Sequence, residues 1–295
     1  MGAESLKNAR AAANDEFYTH YEDVEKELAH YSFEGKSVLL PCDSEDSAFW
    51  AYFAEHAEAL RVKEIISVYL GAEAWCKVKP GVEPLWTPLE GNGDFFSSEI
   101  QKLVDQCDIV VTNPPFSRNA EMMDLLLQKE KDFILIGSET LLGHRLLFHY
   151  VRDGKLHYGF NSVRSFTTPD GTAKTFGNVG WFTTLPVIKV HKTGKMVAYN
   201  PEVNLPYDNY EAINVNKTVE IPCDYNGVMG VPITFLKNPD PAYEILGLAC
   251  GTSRANKLYG SVPYKEGFKD KGGAPMINGS CKFERVLIKR KIDVE

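Results

Sequence analysis

Asn113-Pro114-Pro115-Phe116 is the stretch whose residue types and spacing can do chemistry. The side-chain oxygen of Asn113 and the backbone carbonyl of Pro114 both accept hydrogen bonds, and Phe116 adds a flat apolar face. Two consecutive prolines stiffen the backbone that holds them. Such a turn presents two acceptors and a ring to one small planar group. The element that must position it comes just before. Ile109-Val110-Val111-Thr112 is apolar and β-branched and reads as a short buried strand. Pro114 ends it, because proline cannot donate to a sheet ladder. Asn113 therefore falls at the carboxyl end of a central strand, where open α/β sheets place their ligands.

Two further stretches set polar groups where a ligand can meet them. Ser37-Val38-Leu39-Leu40 reads as the first parallel strand. It leads through Pro41-Cys42-Asp43-Ser44-Glu45-Asp46-Ser47 into a helix over residues 48–54. Small polar residues at a helix start leave backbone N–H groups free for ligand oxygens. The Gly-x-Gly that commonly admits a nucleotide cofactor is missing from this loop. A second strand is expected over 64–70, and residues 77–88, with three prolines, read as a loop. Gly91-Asn92-Gly93-Asp94-Phe95-Phe96 is then a turn that presents an acid beside two aromatics.

Beyond Phe116 a helix is expected over 120–128, a strand over 132–137 and a helix over 141–151. Residues 155–160 and 179–184 read as strands, forming an antiparallel edge to the sheet. Ahead of the first strand, 1–13 are small and polar and are expected to be flexible. Residues 21–31 carry Val24, Leu28 and Tyr31 at helical spacing.

The composition is that of a globular protein, with 44% hydrophobic and 24% charged residues over 295 positions. No run of eighteen apolar residues predicts a membrane span, and no secretory pattern opens the chain. Six cysteines without paired C-x-x-C spacing suggest neither a zinc site nor a redox motif, and fit a reducing, cytoplasmic setting. The net charge of −8 is unevenly spread: from Lys237 onward there are 11 Lys and Arg against 7 Asp and Glu. A basic end on an acidic body is compatible with local nucleic-acid contact.

Asn-Pro-Pro-Phe resembles the catalytic motif of amino-methyltransferases that use S-adenosylmethionine. Asp15-Glu16-Phe17-Tyr18-Thr19 resembles the N-terminal cofactor segment of the adenine-specific DNA enzymes. Taken with Cys42-Asp43-Ser44, Gly93-Asp94-Phe95, Gly180 to Thr184 and the terminal Met276-Ile277-Asn278-Gly279 with Arg285 to Lys291, the motif order resembles the EcoRI-type adenine-specific DNA methyltransferase family. The resemblance implies that Asn113, Pro114, Pro115 and Phe116 form the catalytic turn. It implies a cofactor site at Phe17, Tyr18, Thr19, Cys42, Asp43, Ser44, Asp94 and Phe95, with Asn113 beside it. Phe116 and one of Trp181 or Phe182 would stack on a flipped adenine.

From residue 185 prolines, asparagines and glycines recur, the texture of loop-rich structure. Asn278-Gly279 signals a hairpin before an alternating strand. Lys282, Arg285, Lys289 and Arg290 are candidates to meet DNA phosphates. The expected architecture is α/β, with a Rossmann-like methyltransferase domain over 14–184 and a loop-rich target-recognition region over 185–295. Double-stranded DNA is the expected partner of a monomer or weak dimer, without metal or membrane. A methyltransferase acting on RNA or a protein glutamine amide is the alternative, as is a non-catalytic DNA-binding relative.

Overall fold

A computed structural model describes residues 17–190, 197–251, 259–260, 262–265, 268 and 273–291. The stretch 1–16, with the expected flexible terminus, lies outside them. Two compact units emerge. The first takes the chain up to Thr140 and Leu156–Val187, the second Leu141–Lys155 and the chain from Ile188.

The first unit is mixed α/β, built on a nine-stranded sheet. Its strands are β1 (Tyr18–Thr19), β2 (Ser37–Leu40), β3 (Glu64–Ser67), β4 (Ala74–Val78), β5 (Leu85–Pro88), β6 (Ile109–Thr112), β7 (Asp132–Ser138), β8 (His157–Thr167) and β9 (Ala173–Thr183). They lie in the order β1-β8-β9-β7-β6-β2-β3-β4-β5. The central four, β7-β6-β2-β3, are parallel. The flanking strands pair antiparallel on both sides. Every residue of β2 and β6 is buried, as near-continuous apolar parallel strands require.

Among the described residues its helices are α1 (Tyr21–Leu28), α2 (Ala48–His56), α3 (Ser98–Gln106) and α4 (Asn119–Gln128). Ser47 and Ser97 cap α2 and α3 by accepting the N–H groups of Trp50 and Ile100. The β2–α2–β3 unit steps one way along the sheet and β6–α4–β7 steps the other. Right-handed crossovers then put α2 and α4 on opposite faces. Val38, Leu40, Val111, Ile134 and Ile136 join one core with Phe49 and Phe53 of α2. Leu39, Val110 and Leu135, equally buried, point the other way by strand alternation.

α1 is held to the sheet by Glu27. Its buried carboxylate accepts from Tyr31 Oη, from the N–H groups of Phe160 and Asn161 and from the Asn161 side chain, each at 2.8 Å. These bonds fall where β8 departs from regular pairing, between Tyr158 and Ser162. The irregularity leaves N–H groups that need an acceptor, and Glu27 supplies it.

Two expectations are corrected and a third is extended. Residues 77–88 are not all loop: β4 and β5 extend the sheet, and Pro88 is tolerated at the end of an edge strand with no ladder bond to donate. The helix expected over 141–151 is interrupted. A 3₁₀ turn, Glu139–Gly143, precedes α5 (Phe148–Arg152). Gly143 sits where a Cβ would come within 2.5 Å of the Ile233 side chain. The strands expected at 155–160 and 179–184 are the inner ends of a hairpin of two eleven-residue strands.

The second unit carries a four-stranded sheet, β10-β11-β15-β12, of β10 (Ile213–Asn214), β11 (Met229–Pro232), β12 (Tyr243–Ala249) and β15 (Arg285–Arg290). A separate hairpin joins β13 (Met276–Ile277) to β14 (Ser280–Cys281). Its turn is Asn278-Gly279, with φ of 51° and 73°, the paired positive φ of a type I′ turn. The Asp208 carboxylate accepts both turn N–H groups. Residues 141–155, expected within the catalytic domain, group with this unit. Phe148 packs on Tyr259 at 6.0 Å between ring centroids, and Gly143 abuts Ile233.

Candidate active site

The sheet reverses its strand order between β2 and β6. Chain order runs from β2 to β3 on one side, then returns to β6 on the other. A crevice at the carboxyl ends of the strands forms at such a point. Asp43 follows β2 there and Asn113 follows β6. Thr112 Oγ1 bridges them, donating to Asp43 Oδ2 at 2.5 Å. Ser67, the last residue of β3, donates to the Asp43 carbonyl at 2.5 Å. Burial pushes the Asp43 carboxyl up to about 7, while the Thr112 and Ser47 hydroxyls favour its charged form. Burial also raises the neighbouring Cys42 thiol, and the charges of Asp43 and Asp94 add to the effect.

Asp94 reaches the same crevice through Gly93. The turn crosses the end of β3 so closely that a Cβ at Gly93 would collide with the Tyr69 carbonyl oxygen. Its φ of +74° also favours glycine. Asp94 Oδ1 accepts the Phe96 N–H at 3.0 Å, which fixes the carboxylate. Phe95 is buried, while Phe96 is half-buried under the Arg118 guanidinium, 3.8 Å from its ring centroid. Arg118 stands two residues after Phe116, so this contact ties the acidic turn to the proline turn.

At the proline turn, Asn113 Nδ2 donates to the Phe17 carbonyl at 2.5 Å. Asn113 Oδ1 is buried and has no hydrogen-bond partner among the described residues. A buried acceptor left unpaired costs about 1–3 kcal/mol and calls for an explanation. Phe116 lies in a cluster with Phe17, Phe166 and Phe176, at 5.3, 6.0 and 5.8 Å between centroids. Lys174 Nζ stands 4.7 Å from the Phe17 ring centroid. Thr19 Oγ1 is a second buried oxygen without a partner among the described residues. Tyr18 is 53% exposed.

The structure thus brings together Phe17, Thr19, Cys42, Asp43, Asp94, Asn113, Pro114 and Phe116. It does not bring Trp181 or Phe182 to them as accessible rings. Both have no exposure. β9 is bonded on both sides, so successive side chains enter the two cores: Trp181 meets Phe49 and Phe182 meets Tyr158. The expectation that either ring stacks on a ligand is corrected. The aromatic of β9 nearest the turn is Phe176, in the outer half of the strand, which lies ahead of the stretch 179–184 expected from sequence. Thr112 and Arg118 also escape sequence reasoning: a strand-end threonine and an arginine on an aromatic ring have no sequence signature.

The basic strand is corrected in part. Lys282 and Lys289 are exposed, but Arg285 and Arg290 are half-buried in the sheet. Arg285 Nε donates to Asn214 Oδ1 at 3.3 Å, and an Arg290 amino group donates to Tyr243 Oη at 3.0 Å. Val286, Leu287 and Ile288 are all buried, because β15 is an inner strand and does not alternate. Beside Lys282, Phe283 is 87% exposed.

Among the described residues no group of three or more His, Cys, Asp or Glu is placed to hold a metal ion. No described helix is long and apolar enough to cross a membrane.

Comparison with known proteins follows the same lines. The family model described as adenine-specific methyltransferase EcoRI matches residues 5–79 and 77–291. The chain is 33% identical to the Type II methyltransferase M.EcoRI of Escherichia coli, over 97% of this chain and 96% of that one. It is 32% identical to M.MgeORF184P of Mycoplasma genitalium, over 97% and 98% of the two chains. It is 31% identical to M.MpnI of Mycoplasma pneumoniae, over 98% and 99%. No solved structure matches. Near-complete coverage at this identity, on a chain whose strand ends gather Asp43, Asp94 and Asn113, makes the protein a member of the EcoRI family of adenine-specific methyltransferases.

Proposed function

We propose that this protein is a site-specific DNA methyltransferase that transfers a methyl group from S-adenosylmethionine to N6 of a flipped adenine. The observation that carries the reading is the unpaired, buried Oδ1 of Asn113 at the end of β6. An amine hydrogen is the partner such an acceptor lacks. The Pro114 carbonyl would take the second hydrogen. Drawing both hydrogens aside biases the nitrogen toward tetrahedral geometry and aims its lone pair at the methyl carbon. Positioning and electrostatics carry such a step, without a strong base.

The parallel centre and antiparallel edge pair support a Rossmann-like methyltransferase sheet. The residues fit the cofactor on three observations: the orphan Thr19 hydroxyl, the close backbone approach at Gly93 and the fixed Asp94 carboxylate. When bound, S-adenosylmethionine supplies an electrophilic methyl on sulfur. Phe17, Tyr18 and Thr19 would hold its amino acid end with Cys42, Asp43 and Ser44. Asp94 and Phe95 would hold its adenine end. Phe116 would stack on the target base, which must leave the duplex to reach the turn. Residues 185–295 would recognise the DNA, with Lys282, Lys289 and the exposed Phe283 the groups best placed to meet it.

Incubation with labelled S-adenosylmethionine and duplex DNA, RNA or protein acceptors tests the reading. Label on adenine N6 in DNA is expected. Label confined to RNA or protein, or none in any acceptor, contradicts it.

A further inference from the structure

An asparagine amide is nearly symmetric in shape but not in chemistry: one end accepts and the other donates. Which end faces a site depends on what holds the opposite end. At Asn113 the holding group is the Phe17 carbonyl, which accepts from Nδ2 at 2.5 Å. A carbonyl can only accept, so it selects the rotamer whose Oδ1 is turned away from Phe17, and that oxygen is the unpaired one. The carbonyl is itself held by its ring. Phe17 lies 5.3 Å from Phe116, 5.0 Å from Phe176 and 6.0 Å from Phe166. Among the described residues, the strand behind it, β1, pairs at two positions, Tyr18 opposite Thr167 and Thr19 opposite Phe166. Ring packing, more than ladder bonds, fixes where the carbonyl points.

We infer that Phe17 is a positioning residue for methyl transfer: its backbone carbonyl, pinned by its ring, sets the amide of Asn113 with the oxygen toward the amine. This rests on the methyl-transfer reading of the same site. A turned amide would aim N–H donors at the amine hydrogens and hold the substrate unproductively. Asn113→Asp keeps an acceptor and the shape but sets a carboxylate oxygen against the Phe17 carbonyl. The contact therefore distinguishes two residues that are otherwise near-equivalent as acceptors.

A double-mutant cycle tests the inference, with single-turnover transfer to duplex DNA at saturating S-adenosylmethionine. Phe17→Ala should slow transfer roughly ten-fold or more in the wild-type background and less than about two-fold when Asn113 is already Ala, since residues acting through one contact are not additive. Equal losses in both backgrounds, or no loss in either, would overturn it. Nuclear magnetic resonance gives a readout independent of activity. The side-chain amide signal assigned to Asn113 by its loss in Asn113→Ala should be protected from solvent exchange in the wild type and lose that protection in Phe17→Ala. Unchanged protection would overturn the inference. If Phe17→Ala does not fold, Phe17→Leu enters the same cycle and the same spectra under the same criteria. A wild-type protein inactive on DNA would fell the functional reading instead, leaving the amide signal to judge the positioning role.

Discussion

Thr112 Oγ1 donates to the Asp43 carboxylate at 2.5 Å and so joins the carboxyl ends of β6 and β2, the two strands between which the sheet reverses. The proline turn and the loop after β2 are one hydrogen-bonded assembly, although 69 residues separate the partners. The bond also partly offsets the burial of a carboxyl whose titration lies at about 7.

That titration has a thermodynamic consequence. Between its ordinary value of 3.8 and about 7, Asp43 holds its proton in the folded protein and has released it in the unfolded chain. The unfolded state binds fewer protons over that window, so this group's contribution to stability falls as pH rises through it. Asp43→Asn removes the titration. The stability of the variant relative to wild type should improve from pH 4 to 7, by up to about 4 kcal/mol at 1.36 kcal/mol per pKa unit. Urea unfolding across that range measures it, and a difference independent of pH would refute the assignment.

Asp94 should hold the cofactor rather than the fold. Among the described residues its Oδ1 takes only the local Phe96 N–H. Asp94→Ala should weaken S-adenosylmethionine binding by about 1.5–3 kcal/mol, the worth of a charge-assisted hydrogen bond. Calorimetry showing unchanged affinity would remove Asp94 from the site.

The basic strand divides by exposure. Replacing exposed Lys282 and Lys289 by Ala should flatten the salt dependence of DNA binding, by roughly 0.9 in logarithmic slope for each phosphate that is no longer neutralised. Arg290→Ala should lower the melting temperature instead, because Arg290 bonds Tyr243 within the sheet. An unchanged salt slope in the double lysine variant would make these lysines a solvated surface only.

Much of this is legible in the sequence. Strands 37–40 and 109–112 stand where the apolar β-branched runs place them, since a strand buried on both faces leaves a short, unbroken apolar signature. The Asn278-Gly279 hairpin follows from turn chemistry alone. What stays hidden depends on tertiary partners. Trp181 and Phe182 look like exposed candidates because a strand sequence does not say whether both its edges are paired. Arg285 and Arg290 look like phosphate ligands because charge does not disclose Asn214 or Tyr243. The amide orientation of Asn113 rests on a carbonyl 96 residues away and leaves no trace in the motif.

The Asn113 oxygen, buried and without a partner among the described residues, is expected to accept an amine hydrogen during methyl transfer. Single-turnover transfer to duplex DNA by Asn113→Ala, with folding checked by thermal melting, tests it most directly. A fall of about 10²–10³ in turnover is expected, the loss typical of one preorganised hydrogen-bond partner, or roughly 2.7–4 kcal/mol. Near-wild-type turnover in the folded variant would rule out that role and leave Asn-Pro-Pro-Phe a proline turn.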